Sequence, residues 1–411
     1  MNTRGPLTRQ DALIAWEKFL PNVLAYSNAR NYVQHGHSNV SRLGAAIRFR
    51  TLLEDEIIED TLVRHAFEPA QKWLQEVCWR RYWKGWMEAH PDVWSSWRRQ
   101  VRALRGTLSA QTLERVEQVA EGRSGVACMD QIARELVDTG YLHNHARMWW
   151  ASFWIHVEQL PWELGADFFF RHLSDADPAS NTLSWRWVAG IQTRGKTYLV
   201  RRSNIEKYAP CYLADSEAGA ERIADGFVSA RLVQHPGNVR RELPVCATDY
   251  KPLGERTGLW LHADDLLPEI GPLAGAAPAC VAACLCEPVY EGVYGLSRSR
   301  VDALRIVTRD GVSRAASHYR CKAEVLEGDD PVNGLVEWAR ENALSAVVAF
   351  MLFVGPTSDM LPRLRRGLEA VGVCLTLVRR PSDQEAFSLA TAGFFPFWQK
   401  MSDRLKLRKL L

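Results

Sequence analysis

Apolar positions in the first half of the chain recur every three or four residues. Ala12, Trp16, Phe19 and Val23 show this spacing, which is typical of an amphipathic helix. No strand-like alternation of apolar and polar residues interrupts the pattern between residues 7 and 212. The pattern therefore predicts an all-helical region with short connecting loops.

The period changes in the last third of the chain. Short apolar runs rich in β-branched residues follow one another as GLWLHA, CVAACLC, LRIVT, AVVAFM and VCLTLV, with helical patterns at 332–342 and 361–371. Strands that alternate with helices predict a small α/β domain with a mainly parallel sheet. The predicted fold class is thus multi-domain α plus α/β. Its expected parts are a helical domain at 1–235, a polar, Pro- and Gly-containing linker at 236–256, and the α/β domain at 257–411.

Composition narrows the class of protein. A chain of 411 residues suits two or three domains, and an apolar content of 47% is that of a globular protein. The longest apolar runs are shorter than a membrane span, and the first residues do not resemble a signal peptide. We therefore expect a cytoplasmic protein outside the membrane. The net charge of +3 gives no global sign of nucleic-acid binding.

Neither the cysteines nor the histidines predict a metal site. Cys280, Cys284 and Cys286 lie in an apolar run typical of a buried strand, without the spacing or the nearby histidines of zinc sites. His143 and His145 are two residues apart, so their rings would point in different directions on a helix. We expect structural thiols and no bound metal.

Two segments carry a dense mixture of unlike chemistries, TGYLHNHARM at 139–148 and LSDADPASNTLSWRW at 173–187. They resemble the flavin-binding core of the photolyase and cryptochrome family, whose pattern reads T-G-W-M-H-N-R-x-R-M, then D-x-D-x-A-x-N with a W-x-W close behind. WLQEVCWRRYW at 73–83 is similar to that family's W-x-x-E-x-x-W-R, and VSRLG at 40–44 to its T-S-x-L-S. The resemblance spans about residues 38–210 and implies FAD as the cofactor.

The order of the two parts differs from that family, in which the α/β domain comes first. LWLHADDL at 259–266 is similar to the start of that domain, L-V-W-F-R-R-D-L, and GFFPFWQKM at 393–401 to the T-P-F-W bridge between the domains. The resemblance thus implies a circular permutation, with a late domain like the family's antenna domain. Whether this domain holds a second, antenna chromophore is left open by the sequence.

The resemblance also implies which residues bind the flavin. Asp175 and Asp177 would bond to the ribityl chain or the ring edge, and Asn181 would lie beside the ring nitrogen that gains or loses a proton. An amide at that place is neutral at any working pH and can donate a hydrogen bond to a reduced, anionic ring. The full expected set is Tyr32, Val40, Ser41, Arg42, Leu43, Arg80, Asn144, Arg147, Asp175, Asp177 and Asn181.

The segment at 40–44 would hold the diphosphate of FAD at a helix N-terminus, where unpaired N–H groups favour anions. Of the hydroxyls in the family's pattern only Ser41 is kept. The phosphates would then depend on backbone amides, on Arg42, or on the upstream His37, Ser38 and Asn39.

Other residues of the resemblance imply a substrate pocket and an electron relay. Glu76 would contact a damaged base pair and Trp79 and Trp187 would stack on its bases, with Asn144 and Met148 beside them. Trp185 would be the relay indole nearest the flavin and Trp162 the second. The third is missing from its usual place in TLSAQTL, where Trp149, Trp150, Trp154 or an indole of Trp94 to Trp97 could replace it.

Each motif also has a purely structural interpretation. Ser41 and the two aspartates suit helix capping, and Glu76 with Arg80 suits an ion pair at i and i+4. Any single tryptophan is more often part of a core than of a cofactor site. The basic run at 193–207 is as consistent with a solvated face as with phosphate contacts.

The predicted function is light-driven repair of pyrimidine dimers by electron transfer from photoexcited, reduced FAD. The partner would be damaged DNA, single- or double-stranded, and the short basic run favours single strands. A blue-light sensor like a cryptochrome and a light-independent flavin oxidoreductase are the alternatives. The sequence leaves open the type of photoproduct, DNA against RNA, protein partners and the oligomeric state.

Overall fold

The computed structural model describes residues 5–193, 196–233, 237–244, 247–249 and 256–410. The chain forms two compact units, each built from separate stretches of sequence. The helical unit comprises residues 22–42 and 90–240, and the sheet-containing unit comprises 5–21, 43–89 and 241–410. The sequence-based boundaries near 235 and 257 follow the change of secondary structure, whereas the compact units combine distant stretches of chain.

No strand occurs before residue 257 in the described chain, which confirms the predicted helical region. The helices of this region are α1 Arg9–Phe19, α2 Val23–Ala29, α3 Gly44–Phe49, α4 Glu54–Arg64, α5 Phe67–Ala89, α6 Asp92–Thr107, α7 Ala110–Ala120, α8 Ala127–Thr139, α9 Asn144–Ser152, α10 Trp162–His172, α11 Pro178–Val188, α12 Arg202–Tyr208 and α13 Cys211–Ala214. Single turns of 3-10 helix lie at Leu20–Asn22, His35–His37 and Ala220–Ile223, and a π-helix at Phe153–Val157 follows α9 directly. No helix in the described residues is both long and apolar enough to span a bilayer.

Five parallel strands form one sheet in the order β3-β2-β1-β4-β5. They are β1 Thr257–Leu261, β2 Cys280–Leu285, β3 Lys322–Glu327, β4 Ala346–Phe350 and β5 Cys374–Val378. The remaining helices are α14 Glu287–Gly292, α15 Arg298–Tyr319, α16 Pro331–Glu341, α17 Pro356–Asp359, α18 Leu361–Ala370, α19 Pro381–Leu389 and α20 Phe394–Leu410. β1 is flanked by strands on both sides and every residue of it is buried, as expected for the central strand of a doubly covered sheet.

The prediction of a strand at LRIVT is wrong, because these residues lie inside α15. Leu304, Thr308, Val312 and Ala315 are buried at helical spacing, while Ile306 is 41% exposed. In a strand Ile306 would share a face with Leu304 and Thr308. The helical spacing of the buried residues therefore outweighed the local β-propensity of this segment. The actual third strand, KAEVLE, was not predicted because it is a charged edge strand without a buried face.

The core of the α/β region lies where α16 and α18 cover one face of the sheet. Trp338 of α16 and Leu364 of α18 belong to one buried cluster with Trp260 of β1 and Val347 of β4. Within the predicted linker 236–256, Ala247 forms an isolated bridge with Val378 of β5. The linker's residues 236, 245–246 and 250–255 lie outside the described residues.

Candidate functional site

The two motifs singled out from the sequence meet in the helical unit. The backbone N–H of Ser174 donates to the carbonyl of Gly140 at 2.8 Å. Gly140 ends α8 with φ +67°, and a Cβ at this position would lie 2.6 Å from the Ser174 hydroxyl. Glycine is thus required both for the left-handed helix end and for the close approach of the second motif.

Arg147 and Asp175 join the motifs through an ion pair. Two oxygen contacts of 3.0 and 3.2 Å link the guanidinium to the carboxylate. Arg147 also donates from Nε to the carbonyl of Leu142 at 2.9 Å, which fixes the direction of its side chain. A planar cation held in this way is suited to orient a carboxylate or a polar ligand.

Tyr141 brings the segment at 40–42 to the same place. The guanidinium carbon of Arg42 lies 4.8 Å from the centre of the Tyr141 ring, and that of Arg147 lies 5.9 Å from it. Arg42 has φ +55°, a left-handed conformation that is uncommon for a residue with a side chain. Burial raises the pKa of Tyr141 to about 12, so the ring stays neutral between the two cations.

The DADPASN segment ends in α11, and its side chains have defined partners. Asp177 caps the helix by accepting from the N–H of Ser180 at 2.7 Å, as the structural interpretation required. The amide of Asn181 donates from Nδ2 to the carbonyl of Ala166 at 2.9 Å. This bond fixes the orientation of a buried amide, and an amide group carries a second N–H that can donate to a ligand.

Several buried polar atoms around these contacts accept or donate no hydrogen bond within the described residues. They are Ser174 Oγ, Ser180 Oγ and Trp185 Nε1. Such atoms are costly unless a ligand or water satisfies them. Hydroxyl and indole groups beside Arg42, Arg147 and Asp175 suit a large ligand with an anionic part and a polar chain. The chemistry of this set therefore fits a flavin dinucleotide.

A second glycine, Gly165, leaves the space that the ring of Trp185 occupies in the helical unit. An ideal Cβ on Gly165 would lie 2.3 Å from Trp185 Cη2 and 3.0 Å from Trp154 Cδ1, so only glycine allows this approach. The ring of Trp185 lies 6.2 Å from that of Trp150, which in turn lies 5.1 Å from Trp154. The predicted second relay member, Trp162, is buried but has no ring contact with Trp185 among the described residues. The relay assignment stays a prediction.

Asn144 and Trp187, two of the residues expected to face a substrate, are more accessible than the residues of the DADPASN segment and Trp185. Asn144 is exposed, and its Nδ2 lies 3.7 Å from the sulfur of Met148 one turn later. Trp187 is half-buried, with its ring 5.9 Å from that of Tyr198. Asp175, Asp177, Asn181 and Trp185 are all buried.

His143 is the N-cap of α9, since its Nδ1 accepts from the N–H of His145 at 3.2 Å. Burial lowers the pKa of His143 to about 3, with further contributions from the neighbouring His145 and His37. This imidazole is therefore neutral at physiological pH. Within the described residues no group of three His, Cys, Asp or Glu side chains could hold a metal ion.

The remaining predicted site residues belong to different surroundings. Tyr32, Val40 and Ser41 lie in the helical unit, where the ring of Tyr32 contacts that of Tyr208. Leu43, Glu76, Trp79 and Arg80 belong to the sheet-containing unit. There, Leu43 is buried in front of α3, which begins at Gly44, and Glu76 pairs with Lys72 at 2.9 Å on α5.

Trp79 is stacked on an aromatic ring of the same unit. Phe394, at the start of α20, lies with its ring centre 3.5 Å from that of Trp79 at an interplanar angle of 8°. Tyr82 meets both rings edge-on. One face of the indole that was predicted to stack on a substrate base is thus covered by the chain itself.

Sequence reasoning missed Tyr141, Ser174 and Gly165 as parts of the site. Tyr141 was visible, since it stands at the family's tryptophan position in T-G-W, but its contact with Arg42 bridges a hundred residues of sequence. Gly165 lies within WELGADFFF, where nothing local indicates that Trp185 packs against it.

Comparison with known proteins agrees with this site. Residues 73–212 match a family described as the FAD binding domain of DNA photolyase. The deoxyribodipyrimidine photo-lyase of Neurospora crassa is 28% identical over 205 residues, which are 47% of this chain and 32% of that protein. Cryptochrome-1 of Arabidopsis thaliana is 41% identical over 70 residues, 17% of this chain and 10% of that protein. A solved cryptochrome structure from Synechocystis sp. aligns with a TM-score of 0.45 and 22% identity over 55% of this chain and 51% of that one.

The chain thus spans about a third or less of the length of these curated relatives. The matched residues nevertheless include both motifs and the Arg147–Asp175 pair. They define a flavin-binding domain, and FAD is its cofactor. Residues 73–212 are thus similar to the flavin-binding domain of the photolyase and cryptochrome family.

Proposed function

We propose that this protein repairs pyrimidine dimers in DNA by light-driven electron transfer. The observation that carries the proposal is the separation within the helical unit between buried and accessible site residues. Asp175, Asn181 and Trp185 form the buried side, while Asn144 is exposed and Trp187 is half-buried. A buried cofactor with an accessible polar and aromatic rim suits a base that leaves the DNA stack, as the handling of bases by photolyases requires.

Reduced FAD, when bound, supplies the electron under blue light. The residues of the chain would position the flavin and shield it from water. Arg147 and Asp175 hold one another at 3.0 Å and orient the polar chain, and Asn181, fixed by Ala166, can donate to a reduced ring. Trp187 offers an aromatic face to a base, an interaction worth about 1–3 kcal/mol.

The test is repair of a synthetic oligonucleotide that carries one thymine cyclobutane dimer. The purified protein is loaded with FAD, reduced and irradiated with blue light, and intact thymines are measured on single and double strands, with a dark sample beside them. We expect light-dependent loss of the dimer. A protein that binds FAD but leaves the dimer intact in both strand forms would exclude repair.

The variant Trp187→Ala separates substrate binding from flavin binding. We expect weaker binding of the dimer-containing strand with unchanged flavin absorbance, and Ser184→Ala on the exposed side of the same helix serves as control. Loss of flavin from Trp187→Ala would instead place this indole on the cofactor side.

A blue-light sensor is the second candidate, and the stack of Phe394 on Trp79 favours it. A sensor has no need of a free indole for a substrate base, and here one face of that indole is covered. A light-dependent change in the flavin spectrum of the loaded protein, without repair of any dimer, is the outcome expected of a sensor.

A further inference from the structure

A cluster of arginines on α6 and α10 of the helical unit shares one carboxylate. Asp167 lies 2.9 Å from Arg105, 3.1 Å from Arg98 and 3.2 Å from Arg171. The aspartate is buried, with its side chain 5% exposed. Three guanidinium groups thus converge on a single buried acid.

The cluster is rigidly built. Trp97 of α6 donates from its indole N–H to the carbonyl of Glu163 on α10 at 3.1 Å, and its ring packs edge-on against Phe170. Arg98 is largely buried beside Trp97, with its guanidinium carbon 5.5 Å from the centre of that ring. The positions of the guanidinium groups are therefore set by packing and not by the carboxylate alone.

The positive charge in the cluster exceeds the negative charge. Within the described residues, Asp167 is the only carboxylate that pairs with Arg105 or with Arg171, so this pair alone has two cations for one shared anion. Burial lowers the pKa of Arg171, Asp167 raises it, and Arg105 and Arg98 lower it further. Like charges held this close repel one another unless a second anion joins them.

The cluster is also accessible. The side chain of Arg105 is 49% exposed and that of Arg171 is 30% exposed. Arg102 is exposed between Arg98 and Arg105 at the i, i+4 and i+7 spacing that places all three on one face of α6. Forked cations on a rigid face are the usual partners of phosphate oxygens.

We propose that Arg105 and Arg171, with Arg102 beside them, form a binding site for a phosphate group. The ligand is either a free phosphate compound or the backbone of a nucleic acid, and both present anionic, non-bridging phosphate oxygens. The proposal does not rest on the proposed flavin chemistry. Its role for DNA would be to hold a phosphodiester by charge without reading the base.

The first experiment measures binding of pyrophosphate to the full-length protein by calorimetry, with chloride at matched ionic strength as reference. The test variant is R105Q/R171Q, and the control is R99Q, which removes one positive charge from an exposed position of the α6 helix, where Arg99 contacts Ser95 and Ser96. We expect the affinity of R105Q/R171Q to fall by at least about tenfold, and that of R99Q to stay within about twofold of the wild type. Equal affinities in all three proteins, or no binding beyond chloride, would overturn the proposal.

A second arm separates the two sources of phosphate, using a fluorescent, undamaged oligo(dT) in an anisotropy titration. If R105Q/R171Q also weakens this binding and pyrophosphate competes for it, the ligand is nucleic acid. If oligonucleotide binding is unchanged while pyrophosphate binding is lost, the ligand is a free phosphate compound.

Asp167→Asn keeps the test decisive where the double variant does not fold. Removal of the shared carboxylate raises the positive charge, so pyrophosphate should bind more tightly and raise the unfolding temperature more than in the wild type. A purely structural cluster would lose stability in this variant without any gain in pyrophosphate affinity, which would contradict the site.

Discussion

Buried charged groups are paired with one another in the sheet-containing unit, whereas several buried neutral groups of the helical unit have no hydrogen-bond partner among the described residues. Arg50 donates two hydrogen bonds of 2.7 Å to Asp383 and a third of 3.0 Å to Asp265, and Arg380 grips Asp265 through two more. Even Glu54, whose oxygens accept no hydrogen bond within the described residues, faces cations of this unit within 4.0 Å. Each of these buried charged groups therefore has an oppositely charged neighbour within the unit, and we call this set the closed network.

In the helical unit, the side chains of Ser174, Ser180 and Trp185 hold buried neutral polar atoms that have no hydrogen-bond partner among the described residues. A neutral hydroxyl or indole N–H in that position is satisfied by something other than the protein. The comparison teaches that burial of polar groups is not itself a sign of function. A closed set of ion pairs is structural, whereas unmatched neutral atoms beside an ordered ion pair mark a ligand site.

The largest effect is expected from opening the closed network with Asp383→Ala. Burial would lower the pKa of Arg50, but Asp383, Glu54 and Asp265 together raise it, so the guanidinium stays charged and would be left buried with fewer partners. We expect a loss of about 3–5 kcal/mol in the free energy of unfolding, measured with urea. Glu327→Gln, which breaks the exposed pair with Arg309, is the control and should cost less than about 1 kcal/mol. A small loss from Asp383→Ala would mean that the network is not closed.

The second-largest effect is expected from Gly165→Ala in the helical unit. The new methyl group would overlap the ring of Trp185, so the indole must move, and we expect a cost of about 1–3 kcal/mol together with weaker flavin binding. Gly106→Ala on α6 has free space and should instead gain about 0.5–1 kcal/mol. Thermal unfolding and flavin fluorescence measure both variants. If Gly165→Ala is as stable as the wild type, the packing of Trp185 is not as described.

The neutral His143 predicts how stability responds to pH. Its pKa is lowered from 6.5 to about 3 in the folded protein, so the folded state binds fewer protons than the unfolded state between these values. The stability that depends on this group is complete above pH 6.5 and is lost as the pH falls toward 3. His143→Asn preserves a capping side chain but cannot titrate.

Between pH 7 and pH 5 the wild type should therefore lose about 1–2 kcal/mol more than His143→Asn. Urea unfolding at both pH values measures the difference. Asp265 of the other unit does not interfere, because Arg380 and Arg50 overcome the effect of burial and lower the pKa of its carboxyl group. Parallel pH curves for the two proteins would show that His143 is not buried as a neutral ring.

The smallest effect on stability, with a clear effect on binding, is expected for Asp175→Asn. The amide keeps the shape but removes the charge that faces Arg147, so stability should change by less than about 1 kcal/mol while the flavin dissociation constant rises about tenfold. Asp138→Asn, at an exposed position near the end of α8, is the matched control. A variant that loses stability but keeps its flavin affinity would show that the Asp175–Arg147 pair stabilises the fold and does not bind the flavin.

Much of the fold and part of the site could be predicted from local patterns. The helical period of 3.6 located the helical region, and short apolar runs located four of the five strands, because buried elements need apolar side chains toward a core. LRIVT was mistaken for a strand because β-branched residues also occur in long helices. KAEVLE was overlooked because an edge strand needs no apolar face. The predicted domain boundaries, the permuted order and the relay through Trp162 stay predictions.

By itself, then, the sequence determined the types of element and, through its motifs, the kind of cofactor, because both are written in residues close together along the chain. Only the tertiary structure decided that Arg42 reaches Tyr141, that Gly165 admits Trp185, that Phe394 covers Trp79 and that Asp167 is shared by three arginines. These contacts join positions far apart in sequence. Their partners are chosen by the packing of whole helices, and no periodicity of the chain records that choice.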